Sequence, residues 1–153
     1  MKSGKIAAGE KILLTLWVGG LWFAGYVVAP VLFQLLDKKT AGMVAGQIFT
    51  VTSYIGLFCG GFLLISIWLD SAANKLHNYR LWIIVSMLIL ILIGQFVLSP
   101  MMVELKQAGL SDAESASQFA RLHGLSSSLF LVNSVLGLVL VVAGLRPAKQ
   151  IFN

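Results

Sequence analysis

The chain has 153 residues, of which 58% are hydrophobic and only 11% are charged. A soluble domain usually carries about a quarter charged residues, so this composition argues against a soluble fold and predicts a chain that lies mainly in lipid. The net charge of +5 comes from basic residues placed singly or in pairs at the edges of apolar runs, which argues against a nucleic-acid-binding surface and favours the flanks of membrane spans.

Four apolar runs are long enough to cross a bilayer, because a helical span needs about 20 residues to cover roughly 30 Å of hydrocarbon. A backbone in lipid must satisfy its hydrogen bonds within its own segment, so runs of this length must be helical. We therefore predict an all-α fold, a bundle of four transmembrane helices in up-down-up-down order, which forms a single integral membrane domain over residues 1–153. The predicted spans are residues 12–36, 41–69, 81–103 and 112–145, with the first turns of the last helix outside the bilayer.

The link between the third and fourth spans carries signals for helix ends. Gly109 is typical of a residue that follows the end of a helix. Ser111 and Glu114 stand three residues apart, as in a capping box, and this pattern predicts that the fourth helix starts near Asp112.

The basic residues predict the orientation of the bundle. With four spans, both termini and the middle loop share one side, and that side holds Lys2, Lys5, Lys11, Lys75, Arg80, Arg146 and Lys149. The other side holds Lys38, Lys39, Lys106 and Arg121. The excess on the first side predicts that both termini are cytoplasmic and that the chain is a multi-pass protein of the inner membrane. An aromatic belt is expected at the cytoplasmic boundary from Trp17, Trp68, Tyr79 and Trp82.

Polar side chains inside the spans are costly in lipid, so each should have a partner or a function. One polar residue of each helix falls at a similar depth, and these residues are Tyr26, Ser53, Gln95 and Asn133. We predict that they form a hydrogen-bonded layer near the midplane. This layer either fixes the register of the helices or binds a ligand or ion, and the sequence leaves both possibilities open.

Small residues predict where helices approach closely. The second helix carries two pairs of glycines with a spacing of four, Gly42 with Gly46 and Gly56 with Gly60. Such pairs let two helix backbones come close together. We interpret them as packing inside the bundle, and the alternative is an exposed seam for a second copy or a partner.

The non-cytoplasmic end carries the richest chemistry and is the predicted functional site. The candidate residues there are Pro100, Glu104, Phe119, Arg121, His123 and Ser126. His123 is the strongest candidate for a functional residue, because a histidine can bind metal or haem, or transfer protons near neutral pH. Its other possible role is a cap that orients the top of the fourth helix through Glu104 or a backbone carbonyl.

A cofactor at this end would need further ligands. A bis-histidine haem requires two histidines at one depth, whereas His77 lies in the opposite loop. Met101 or Met102 could join His123 as a haem ligand, and the three together could bind copper(I), which prefers soft thioether ligands. No Met-x-x-Met repeat supports this, so we expect no cofactor. Motifs of hydrolases, phosphate-binding loops, dinucleotide-binding folds and zinc enzymes are all missing from the sequence, which argues against an enzyme.

The segment from Phe119 to Ser127 reads Phe-Ala-Arg-Leu-His-Gly-Leu-Ser-Ser. It strongly resembles the signature of the transmembrane protein 205-like family, a bacterial membrane domain of unknown function. The Trp- and Gly-rich first helix and the proline that closes the third are weaker similarities, and the resemblance covers residues 14–145. It implies a four-helix membrane protein without an established reaction, substrate or cofactor. It also implies that the residues most relevant to function are Pro100, Phe119, Arg121, His123 and Ser126.

These observations favour a non-enzymatic protein with a binding, transport-accessory or assembly role, centred on the end around His123. One alternative is a small redox protein that binds haem, copper or a quinone at that end. Another is a structural subunit of a larger membrane complex. The expected partners are the lipid bilayer and either a second copy or another membrane protein, with no nucleic acid.

Overall fold

The computed structural model describes residues 4–69, 79–109 and 113–144, which form four long helices and no strand. The first helix is α-helical over Gly4–Phe23, π-helical over Ala24–Val28 and α-helical again over Ala29–Leu35. The second helix covers Lys38–Leu69. The third helix is α-helical over Tyr79–Ile93, π-helical over Gly94–Leu98 and α-helical over Ser99–Ala108. The fourth helix covers Ala113–Gly144.

Each of the four helices is long and apolar enough to cross a membrane. The membrane-crossing segments have 30 or 32 residues and are Ile6–Leu35, Lys38–Leu69, Tyr79–Ala108 and Ala113–Gly144. At about 1.5 Å per residue these segments are about 45–48 Å long, whereas the hydrocarbon core is only about 30 Å thick. Each helix therefore continues beyond the hydrocarbon. The predictions of an all-α bundle and of a multi-pass membrane protein are confirmed.

The helices form a ring in chain order, in which the first contacts the second and the fourth, and the third also contacts both. Neighbouring helices run in opposite directions. Between the second and third helices, for example, Gly56 faces Ile91 and Gly60 faces Leu88. We call the end with the connection at residues 36–37 and Gly109 the hairpin end, and the end with Gly4 and Gly144 the terminal end.

The centre of the bundle is occupied by Trp17, which is only 1% exposed. A Cβ atom built on Gly56 would lie 2.6 Å from Trp17 Nε1, and one built on Gly60 would lie 2.8 Å from Trp17 Cη2. These glycines thus pack inside the bundle and not on an exposed seam. The prediction that Trp17 belongs to an interfacial belt is wrong, because the two glycines leave room in the core for its indole. The other core residues are Leu14, Val18, Cys59, Leu63, Ile67, Ile84, Met87, Ile91 and Leu140.

The outer surface of the bundle is apolar over most of its length, as expected for side chains that are solvated by lipid. The three remaining candidates for the aromatic belt are exposed and lie near the terminal end; they are Trp68, Tyr79 and Trp82. Tyrosine and tryptophan prefer the membrane–water interface because each combines an apolar ring with a polar group.

The helices are longer than the apolar runs that predicted them. The first helix begins at Gly4 and not at residue 12, and the third continues to Ala108, beyond residue 103. A charged residue ends an apolar run but does not interrupt the hydrogen bonds of a helix. Gly109 ends the third helix as predicted, with a φ of 86° that only glycine adopts readily. The predicted capping box and span ends at Ser111, Asp112 and Leu145 lie outside the described residues.

The second helix is capped by Asp37. Its Oδ1 atom accepts hydrogen bonds from the backbone N–H groups of Lys39 and Thr40, each at 3.1 Å. A carboxylate at this position satisfies N–H groups that lack a partner within the helix. The Thr40 hydroxyl, followed by the Thr40 backbone N–H, holds the pKa of Asp37 below its ordinary value, because both stabilise the ionised form.

The lowered pKa of Asp37 predicts a loss of stability in acid. Above the ordinary aspartate pKa of about 3.9, Asp37 is ionised in the folded and the unfolded chain, and its contribution is fully present. As the pH falls further, the unfolded chain binds the proton first, and the contribution is lost by the time the pH has passed the lower pKa of the folded state. Asp37→Asn keeps an acceptor that cannot ionise. Thermal unfolding in detergent between pH 6 and pH 3 should therefore show a smaller acid-induced loss for this variant, and parallel curves would contradict the assignment.

Candidate functional site

Three of the residues at the hairpin end meet at the ring of Phe119. The imidazole of His123 stacks on this ring, with the centroids 6.1 Å apart and an angle of 12° between the planes. The Nζ atom of Lys106 lies 5.3 Å from the centroid of the same ring. Phe119 and His123 are four residues apart and share a face of the fourth helix, whereas Lys106 comes from the third helix. The ring therefore joins the ends of the two helices through a cation–π contact.

The other candidate residues of the hairpin end are exposed or half-buried. Glu104 and Arg121 are exposed, and neither forms an ion pair with another described residue. Pro100 is exposed and Ser126 is half-buried. We call the hairpin ends of the third and fourth helices, which Phe119 joins, the Phe119 patch, and its members are Pro100, Glu104, Lys106, Phe119, Arg121 and His123. Glu104 and Arg121 stand two residues from Lys106 and Phe119, so they lie on other faces of their helices than the ring contact.

His123 does not cap the fourth helix. This helix begins at Ala113, so His123 lies well inside it. Its exposed imidazole donates no hydrogen bond to Glu104 or to any backbone carbonyl of the described residues. The backbone carbonyl of His123 accepts a hydrogen bond of 2.9 Å from Ser127 Oγ, as a serine within a helix often does. Among the described residues, the interaction that positions the His123 imidazole is the stack on Phe119.

Metal-binding side chains are sparse at this patch. Within residues 4–69, 79–109 and 113–144, no three histidine, cysteine, aspartate or glutamate side chains lie close enough to hold one metal ion together. Sites for zinc or calcium commonly combine at least three such ligands. Met101 is exposed and Met102 is half-buried near the same end.

The four residues of the predicted polar layer differ in exposure. Asn133 is buried, Ser53 and Gln95 are half-buried, and Tyr26 is 43% exposed. None of the four donates a hydrogen bond to another of them. Tyr26 instead packs its ring against Phe130, with centroids 5.9 Å apart. The predicted hydrogen-bonded layer is therefore not formed in this structure, and Asn133 is its one buried member.

An aromatic cluster that the sequence analysis did not identify joins the first, second and fourth helices. Phe130 packs edge-on against Phe49, and its ring fills the space beside Gly25, where a Cβ atom would collide with it. Trp22 Nε1 donates a hydrogen bond of 3.2 Å to the backbone carbonyl of Ser134. The sequence signal for this cluster is weak, because an aromatic residue in a span can face either lipid or a neighbouring helix.

Each intramembrane proline follows a π-helical turn. The backbone N–H of Ala29 donates to the carbonyl of Ala24, and that of Ser99 donates to the carbonyl of Gly94, both across five residues. Pro30 and Pro100 come next and have no N–H to continue the hydrogen-bond pattern. The prolines are visible in the sequence, but the wider turns before them are not, although π-turns often mark functional sites.

The terminal end holds a buried carboxylate that the sequence analysis also did not identify. Glu10 is only 9% exposed, and its Oε1 atom accepts a hydrogen bond from Ser66 Oγ of the second helix. Glu10 precedes the apolar run that begins at residue 12, so hydropathy alone places it outside the predicted span. A charged group this close to the hydrocarbon needs a hydrogen-bonding partner, and Ser66 supplies one.

Comparison with known proteins places the chain in a family. The model of a family described as a domain of unknown function, DUF4149, matches residues 12–111. An uncharacterized protein of Aquifex aeolicus (strain VF5) is 30% identical over 132 residues, which cover 85% of this chain and 91% of that protein. No solved structure matches the chain. Since the family model covers well over half of its residues, the chain belongs to the DUF4149 family, a domain of unknown function.

Proposed function

We propose that this small integral membrane protein binds or assembles with another membrane protein, or with a second copy of itself, through the Phe119 patch. The observation that carries the proposal is the contact of one ring, Phe119, with both Lys106 and His123. This contact holds the ends of the third and fourth helices together. The surface beside it is therefore presented on two helices of fixed relative position.

The chemistry of the patch suits a protein partner. Glu104 and Arg121 are exposed charges of opposite sign without an ion-pair partner in the described chain, so both are available to a partner. Arginine and aromatic residues are enriched in protein interfaces, and complementary charges select the correct partner. An exposed patch of this kind favours a contact surface over an enclosed site for a small molecule.

Two further features support this assignment. The excess of basic residues near the terminal end favours a cytoplasmic location of that end in the inner membrane, which leaves the Phe119 patch on the non-cytoplasmic side. The segment from Phe119 to Ser127 lies beyond residues 12–111, which the DUF4149 model matches, and carries the resemblance to the transmembrane protein 205-like family.

The proposal predicts that Arg121→Ala separates the protein from its complex. Native mass spectrometry of the protein, gently extracted from its own membranes, should show a complex whose abundance falls at least tenfold in this variant. The physical reason is that an exposed, unpaired guanidinium contributes to a partner contact and not to the fold. The thermal unfolding of the purified variant should therefore match that of the wild type, as is usual for exposed substitutions.

Lys39→Ala is the matched control. Lys39 is also basic and exposed at the hairpin end, but it belongs to the second helix and not to the Phe119 patch. This variant should retain the complex. Only monomeric wild-type protein, or an equal loss of the complex in both variants, would overturn the proposal.

A further inference from the structure

Two polar side-chain atoms in the bundle core are buried without a hydrogen-bond partner: Trp17 Nε1 and Asn133 Oδ1. Trp17 is 1% exposed and Asn133 is 4% exposed. Buried polar groups in native proteins are almost always paired with protein or with ordered water, because an unpaired group loses its hydration without replacement. One of these two atoms is an N–H donor and the other is an acceptor, so they have complementary requirements.

The Trp17 atom belongs to a defined level of the bundle. A Cβ atom built on Gly56 would lie 2.6 Å from Trp17 Nε1 and 2.9 Å from Ile91 Cδ1. Trp17 Nε1, Gly56 and Ile91 therefore meet at one point, to which three different helices contribute.

The register of the third and fourth helices brings Asn133 close to the level of Ile91. A Cβ atom on Gly137 would lie 3.3 Å from Met87 Cε, which places Gly137 opposite Met87. One turn further towards the hairpin end leads from Met87 to Ile91 on the third helix. On the antiparallel fourth helix, the same step leads from Gly137 to Asn133. We call the layer of Trp17, Gly56, Ile91 and Asn133 the midplane site, and all four of its residues are buried.

Three residues of this layer stand near the middle of the uncharged parts of their helices, and Trp17, whose backbone lies nearer the terminal end, brings its Nε1 atom to the level of Gly56. Ile91 stands 11 residues after Arg80 and 13 before Glu104, and Asn133 stands 12 residues after Arg121 and 13 before Arg146. Bulk water is excluded at that depth. Any partner of the two polar atoms must therefore be a bound molecule or another group of the protein.

The protein does provide such a partner for the neighbouring tryptophan. Trp22 Nε1 donates to the backbone carbonyl of Ser134, so an indole of the first helix can reach a carbonyl of the fourth directly. Trp17 Nε1 has no such carbonyl, and the buried side-chain atom of the fourth helix that likewise lacks a partner in the described chain is Asn133 Oδ1. The contrast between the two indoles shows that the need for an additional hydrogen-bond partner is specific to the midplane site.

We infer that the midplane site binds one water molecule, which accepts a hydrogen bond from Trp17 Nε1 and donates one to Asn133 Oδ1. Water satisfies both groups because it is donor and acceptor at once. A cation would suit the amide oxygen but would be repelled by the indole N–H, and an anion would be repelled by the amide oxygen. The site is independent of the Phe119 patch, which lies at the hairpin end.

The test uses the complete protein with ¹⁵N-labelled indoles in lipid nanodiscs. Rotating-frame cross-relaxation from water to each indole N–H should be strong for Trp17 and at background for Trp22, the internal control. Asn133→Leu replaces the amide with an apolar side chain of similar size. It should reduce the water signal at Trp17 at least tenfold and leave the Trp22 resonance unchanged.

The wild-type spectrum alone can overturn the inference, even where the variant fails to fold. If Trp17 shows no transfer from water, its indole is dry, and a direct bond from Trp17 to Asn133 becomes the alternative. If the transfer persists in a folded Asn133→Leu protein, Asn133 does not hold the water, and the site as described is wrong.

Discussion

Trp17→Ala is expected to lower the free energy of unfolding by roughly 3 kcal/mol, near the lower limit for an aromatic residue truncated in a protein core. The indole fills the centre of the bundle against Gly56 and Gly60, and alanine would leave a cavity there. Since the surrounding solvent is lipid, the loss comes from packing contacts more than from transfer out of water. Reversible unfolding by titration with SDS in bicelles measures this quantity.

Phe23→Ala provides the matched control for the tryptophan. Phe23 is also an aromatic residue of the first helix, but it is 60% exposed on the outer surface. Its truncation should change the free energy of unfolding by no more than about 0.5 kcal/mol. Equal losses in the two variants would show that Trp17 does not occupy the core.

Gly56→Ala is expected to destabilise the bundle through overpacking. The new Cβ atom would lie 2.6 Å from Trp17 Nε1 and 2.9 Å from Ile91 Cδ1, so the rigid indole or the second helix must shift. Overpacking of this kind typically costs about 1–3 kcal/mol. The same unfolding titration measures the loss.

Gly61→Ala isolates the packing contribution. Gly61 lies on the same helix, and nothing stands within 4 Å of the position of its Cβ atom. Both substitutions gain about 1 kcal/mol of helix propensity, so the difference between the two variants reports the collision with Trp17. A Gly56→Ala protein as stable as Gly61→Ala would disprove the close contact.

The helices could be predicted from the sequence because lipid imposes a simple rule. A long apolar run in a bilayer has no alternative to a helix, so the number, order and direction of the spans follow from the runs themselves. The residues at which the helices begin and end are predicted less well from the sequence. Glu10 lies before the first apolar run and yet inside the helix, and the π-turns depend on hydrogen bonds that hydropathy does not record.

Positions within the bundle could be predicted only in part. Trp17 was expected at the membrane interface, because its neighbours in the sequence do not reveal the two glycines on another helix that accommodate it. Tyr26 and Asn133 show the same difficulty, since similar depth does not determine which way a side chain faces. The burial of Asn133 and the exposure of Tyr26 follow from contacts between helices.

In the candidate site, too, contacts within one helix can be predicted from the sequence, whereas contacts between helices cannot. The stack of Phe119 on His123 joins residues four apart on one helix, so the spacing in the sequence is sufficient to place them together. Lys106 belongs to another helix, so its contact with the Phe119 ring could be seen only in the structure. Glu104 and Arg121 lie on the third and fourth helices at the hairpin end, and the sequence alone could not show that both are exposed.

The π-turns lie at matching positions of the first and third helices. The turns at Ala24–Val28 and Gly94–Leu98 are 70 residues apart, as are Pro30 and Pro100. The first and third helices run in the same direction and occupy alternate positions of the ring. Both therefore depart from regular α-helical hydrogen bonding at a matching place, and bending at one turn has a counterpart on the opposite side of the bundle.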